Sequence, residues 1–288
     1  MIKKSKVLKL VNERKFEFAF DLVLGANDPG LYADLLNGAE VNSGVLITPE
    51  WVGWEGDRNS FFLKILSDAP ENELVASLRS HTELLELRFF KNEKFPMEVL
   101  QFKNLQYLHL RGGKFGTLPP EIGALHNIRD LNLECVGLHS LPGEFENLKR
   151  LRRLDLNGND FSSLSSNLQV LCKLDSLEIL MLSYNNIAEF ETYDWLKLKK
   201  LSSVTINGNM LCHETLTKVF DVASTRTNGL IELFLDGCGI HDIPSISSGF
   251  DNLIKLDLAN NAITELPGWI EKLPNLKWLN LEGNPINT

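Results

Sequence analysis

LRRLDLNGND at residues 151–160, LEILMLSYNN at 177–186, LIKLDLANNA at 253–262 and LKWLNLEGNP at 276–285 are four forms of one phrase. The phrase is Leu, two variable residues, Leu, one variable residue, Leu, two more residues and then Asn in the ninth place. Along the chain its copies start at Leu84, Leu105, Ile128, Leu151, Leu177, Leu201, Leu230, Leu253 and Leu276. Four of the eight steps between starts are 23 residues, and the others are 21, 26, 24 and 29. Self-similarity at such a period marks stacked units. A single unit cannot bury its own leucines, but a stack of them can.

The spacing has a physical meaning. In a strand, successive side chains point to opposite faces. Leu108 and Leu110 therefore face a core, while Tyr107 and His109 face outward. The ninth place holds Asn92, Asn159, Asn185, Asn209, Asn261 and Asn284. An amide both donates and accepts, so it can tie the backbones of adjacent turns where the chain leaves the strand. Gly113, Val136 and Cys238 occupy that place in other copies, and the ladder is expected to be interrupted there. A second apolar pair follows, often with proline: Leu118-Pro119, Leu141-Pro142 and Leu266-Pro267. Proline cannot donate to a ladder and suits the irregular return side.

Residues from about 84 to 288 thus resemble a leucine-rich-repeat protein, of the class with roughly 23-residue repeats and an L-P step. The resemblance implies an α/β solenoid with a curved parallel sheet of about nine strands. It says little about function, because a fold of this kind hosts many roles. The step from Leu201 to Leu230 carries extra residues, in which Leu216, Val219, Phe220 and Ala223 have the spacing of one helical face. Gly229 is expected to end that helix.

Residues 1–83 lack the repeat. Phe16, Ala19, Phe20 and Val23 have helical spacing, and Asp28-Pro29 reads as a helix start. This region is expected to form a helical N-terminal cap, which would cover the leucines and open strand edge of the first repeat. Trp51 and Trp54 fit a loop packed on that cap better than a separate docking module.

Composition narrows the function classes. Lys and Arg number 29 against 38 Asp and Glu, giving a net charge of −9, which disfavours a nucleic-acid partner. The basic start is broken by Lys9, Asn12, Glu13 and Arg14, so no secretory signal is expected. No stretch approaches the roughly 20 apolar residues of a membrane span. The four cysteines form no C-x-x-C pair, which suits a reduced, cytoplasmic setting. Cys212 and His213 are neighbours in sequence, and adjacency alone does not make a catalytic dyad. Phosphate-loop, dinucleotide, nucleophile-elbow and zinc-protease motifs are absent. No enzyme activity, cofactor or metal is therefore expected.

A binding role follows from the outward residues. These are the third and fifth of each copy, beginning with Glu86 and Arg88. The expected contacts are Tyr107, His109, Asp130, Arg153, Asp155, Ile179, Met181, Phe234 and Trp278. Aromatic residues, Met and Arg are enriched at interface cores. Scattered exposed apolar residues are also common on any surface, but these share one face. The expected function is a protein-binding scaffold or adaptor working through the concave face. The alternatives are a bacterial host-directed effector or adhesin, or the regulatory subunit of an enzyme.

Overall fold

The structure is a computed structural model and describes residues 84–88, 93–161, 170–188, 198–225, 229–246 and 249–286. Nine strands run in chain order in one open, curved sheet, and every neighbouring pair is parallel. They are β1 (Leu84–Arg88), β2 (Tyr107–Arg111), β3 (Asp130–Asn132), β4 (Arg153–Asp155), β5 (Ile179–Met181), β6 (Ser203–Thr205), β7 (Glu232–Phe234), β8 (Lys255–Asp257) and β9 (Trp278–Asn280). The fourth-place leucines from Leu108 to Leu256, with Val204 among them, are at most 1% exposed. Leu279, on the last rung, is half-buried. The expected helical cap over residues 1–83 and Asn92 lie outside the described residues.

The first copy needs a correction. Leu85 pairs with Leu108 and Glu86 with His109, so this copy starts at Thr82, two residues before Leu84. The run LLELR offers leucines in competing phases, and pairing with the next rung selects between them. The step to the second copy is then 23 residues, from Leu85 to Leu108, and not 21. A slip of two keeps the alternation along the strand and puts Phe90, not Asn92, in the ninth place of this copy.

The eighth place turns the chain out of the strand. It is left-handed in every described repeat: Gly112, Cys135, Gly158, Tyr184, Gly208, Gly237, Asn260 and Gly283 have φ between 50° and 74°. Glycine meets this at no steric cost and Asn at little. Cys135 and Tyr184 adopt it with full side chains.

Just beyond, the asparagine ladder forms. Asn209 Oδ1 accepts the N–H groups of Asn185 and Ile187, both at 3.0 Å, while its Nδ2 donates to Leu182 O and Ile206 O. Asn159 and Asn261 repeat the pattern. Where the ladder lacks an amide, it is bridged as well as broken. Phe115 N–H donates to the backbone oxygen of Val136 at 2.7 Å, and Leu211 N–H donates to that of Cys238 at 3.3 Å. The Cys238 thiol also donates to Ile206 O at 3.4 Å, and burial pushes its pKa up to about 11, which keeps it protonated. At Asn185 the buried Oδ1 has no hydrogen-bond partner among the described residues.

On the return side the prolines start short turns. Pro119 and Pro142, both at φ −70°, precede 3-10 turns at Pro120–Ala124 and Gly143–Asn147. The longer repeat carries helix α1 (His213–Thr225), as its spacing indicates. It buries Leu216, Val219 and Phe220. Phe220 meets Phe250 and Trp269 edge-on at 5.7 and 5.9 Å, and Trp269 Nε1 donates to Pro244 O.

Candidate functional site: the outward face of the sheet

Parallel pairing lines up the outward side chains in rows. The third-place row runs Tyr107, Asp130, Arg153, Ile179, Ser203, Glu232, Lys255, Trp278, and the fifth-place row runs His109, Asn132, Asp155, Met181, Thr205, Phe234, Asp257, Asn280. Three zones result.

On β2–β4 the face is a closed polar network. His109 Nε2 lies 3.2 Å from Asp130. Arg153 reaches both Asp130 and Asp155 at 3.6 Å. Asn132 Nδ2 donates to Asp155 Oδ2 at 3.1 Å. Asp155 was expected to meet solvent and instead is 3% exposed, as Asn132 is at 2%. Burial, with Glu134 nearby, raises the Asp155 pKa above the ordinary carboxylate value. The cause lies in the turn. Asp155 Oδ1 accepts Asn157 N–H two residues on, as Asn132 accepts Glu134 N–H, Asp257 accepts Ala259 N–H and Asn280 accepts Glu282 N–H. An Asx residue here caps the strand exit.

On β5–β7 three apolar side chains gather among Ser203, Thr205 and Glu232. Ile179, Met181 and Phe234 are half-buried, with Thr205 between Met181 and Phe234. Neither Met181 nor Phe234 offers the turn a side-chain oxygen. In both cases the preceding repeat takes over. Asn157 Oδ1 accepts Ser183 N–H at 2.7 Å, and Asn207 Oδ1 accepts Asp236 N–H at 2.9 Å. Two apolar residues sit in capping positions, and each is matched by a relocated cap.

On β7–β9 aromatic and acidic groups mix. The Phe234 and Trp278 rings have centroids 6.2 Å apart, and Trp278 is 41% exposed. Lys255 pairs with Glu232 at 2.7 Å, and Ser203 Oγ donates to the same carboxylate, holding the Glu232 pKa below its usual value.

The expected residues therefore share one face but not one cluster. Tyr107, also exposed, stands seven strands from Trp278, on the order of 34 Å. Met97, Ile231, Tyr184 and Met210 are exposed and were not expected, and the two most exposed are Tyr184 at 64% and Met210 at 72%. These two follow the strands at the eighth and tenth places, beyond the rows read from the alternation. The available signal was a Tyr in a place that usually holds Gly. Among the described residues no group of His, Cys, Asp and Glu could hold a metal. No helix among them is long and apolar enough to cross a membrane.

Residues 83–288 match the family described as leucine-rich repeat region. The chain belongs to the leucine-rich-repeat family. Receptor-like protein 35 of Arabidopsis thaliana is 37% identical to this leucine-rich-repeat chain over 121 residues, 41% of this chain and 12% of that one. Receptor-like protein 34 of the same plant is 36% identical over an equal span. The chain thus covers only about an eighth of the length of these relatives. Among solved structures, a TDR receptor superposes with a TM-score of 0.56 at 22% identity, covering 73% of this chain and 36% of that one. The functional domain of InlJ from Listeria monocytogenes gives 0.53 at 20% identity, covering 73% and 41%. These structural likenesses establish the repeat fold.

Proposed function

We propose that this repeat domain is a recognition module that binds a protein partner on the outward face of its sheet, centred on Ile179, Met181 and Phe234. The observation that carries this reading is the pair of relocated caps. The strand exits at Met181 and Phe234 hold apolar side chains where four other strands hold a capping Asx, and the backbone is satisfied from the previous repeat instead. Folding does not require these apolar groups on that face, whereas an interface core does. Tyr184, exposed and left-handed at the end of β5, extends the apolar zone toward the edge of the sheet. The receptor-like names of the matched relatives support a recognition role. None of the four cysteines forms a disulfide, which supports a reducing, cytoplasmic compartment.

The test replaces Ile179 and Met181 together by Ser, at positions outside the buried leucine rows. A partner recovered by crosslinking in the native cell is expected to bind at least about tenfold more weakly, about 1.4 kcal/mol. An equal loss from Glu121→Ala with Lys149→Ala on the return side, and none from the sheet pair, would place binding on the other face.

A further inference from the structure

The charges on the sheet face do not balance evenly along it. Each described cation there is already engaged: Arg153 with Asp130 and Asp155, Arg111 with Glu134, and Lys255 with Glu232. Asp236, Asp257 and Glu282 have no basic side chain within ion-pair distance among the described residues. All three belong to the last three repeats. Strand register sets them in a grid with the aromatic pair. Glu232, Lys255 and Trp278 form one row, and Phe234, Asp257 and Asn280 the next. Asp236, Ala259 and Glu282 follow two residues beyond. Asp257 is at the centre, and the small Ala259 separates the two outer carboxylates.

We infer that the β7–β9 face receives an arginine or lysine side chain of the protein partner, set against Phe234 and Trp278 and neutralised by Asp236, Asp257 and Glu282. This rests on the docking role proposed for the sheet. Aromatic faces attract a cation, and a guanidinium can engage carboxylates while stacking on rings. Burial, reinforced by Asp236, raises the Asp257 pKa, so its charge is held against a cost that an incoming cation relieves. A second copy of this chain is a poor occupant, because each copy carries a net charge of −9.

The test is calorimetric titration of the full chain at low salt with tetra-arginine amide, with tetra-glutamate as the opposite-charge control. Two triple variants remove three negative charges each. One is Asp236→Asn, Asp257→Asn and Glu282→Gln on the grid. The other is Glu121→Gln, Glu144→Gln and Glu271→Gln on the return side. The grid variant is expected to fold, because Asn already fills the place of Asp257 in β3 and β9, and Asn157 and Asn207 fill that of Asp236. Tetra-arginine should bind and tetra-glutamate should not. The grid triple should weaken binding at least about tenfold and the return-side triple less than about twofold. Phe234→Ala with Trp278→Ala should weaken it at least about threefold at unchanged charge. Absence of tetra-arginine binding, equal losses from both triples, or indifference to the aromatic pair would each overturn the inference. If one of these occurs while the Ile179 and Met181 pair still governs a partner's affinity, the docking face stands and its basic ligand chemistry falls.

Discussion

Replacing Asn209 by Ala tests the claim that ninth-place amides hold the repeats together. Asn209 is fully buried. Without its side chain, the N–H groups of Asn185 and Ile187 and the carbonyl of Leu182 lose their partner. Ile206 O keeps the thiol of Cys238 at 3.4 Å. Three buried polar groups left unpaired, at about 1–1.5 kcal/mol each after relaxation, predict a loss of about 3–5 kcal/mol. The same change at Asn284 is the internal control. That residue makes a comparable set of bonds to Ile263, Leu258 and Leu281 but is half-exposed on the last described repeat, so water can replace them and the expected cost is about 1 kcal/mol. Urea midpoints at unchanged slope measure both, and amide exchange at Asn185 and Ile187 should accelerate in the first variant. If Asn209→Ala costs no more than Asn284→Ala, the buried amide is not what ties these turns.

Two further predictions probe the face itself. Asn157→Ala should cost about 1–2 kcal/mol by stranding Ser183 N–H, and Met181→Asn should recover at least half of that in the Asn157→Ala background while stabilising nothing in the parent. Equal effects of Met181→Asn in both backgrounds would show that the cap was never shared. Asp257→Asn should be more stable than the parent at neutral pH, with the gap closing as pH falls toward 3.8, and urea midpoints across that range check it. The sign follows from the raised folded-state pKa: the native state binds the proton more tightly, so stability is lost as pH rises from the unfolded value through the folded one. Burial and Asp236 raise this group, while Ala259 N–H and Asn280 oppose them.

The architecture was legible because core positions obey one rule. Leu154, Leu180 and Leu233 are buried where the spacing places them, and α1 forms where Leu216, Val219 and Phe220 fall on one face. The first copy was misread because LLELR satisfies the phrase in more than one phase, and only its neighbouring strand selects one. The outward face was harder to read. Alternation says which way Asp155 points, but not that its carboxylate is consumed by Asn157 N–H, Asn132 and Arg153. Hydrogen bonds between repeats join residues about one period apart, and apart from the ninth-place Asn no local pattern records them. Tyr184 escaped notice for a related reason: its left-handed backbone belongs to a place beyond the strand.

The fifth place therefore has two uses, and the fate of a single N–H group separates them. In β3, β4, β8 and β9 an Asx side chain there accepts the N–H two residues on, so its identity answers to the fold. In β5 and β7 the corresponding N–H groups are taken by Asn157 and Asn207 of the preceding repeats, which releases the fifth place from that duty. A released place on a solvent face is under no folding demand for an apolar side chain. Here it holds Met181 and Phe234, two side chains with no polar atom to offer water beyond a thioether. A half-buried apolar residue taken singly needs no explanation, but two on nearby strands, each with its turn capped from the preceding repeat, are not independent accidents of a surface. The same comparison separates Asp257 from Asp236. Asp257 caps Ala259 N–H as an Asn would, so only its charge is left unexplained by folding. Asp236 accepts a bond from Asn260 Nδ2, while its own N–H is taken by Asn207 of the preceding repeat. What the fold leaves unexplained on this face is therefore an apolar centre and a negative charge beside it, and both are properties that a partner can read.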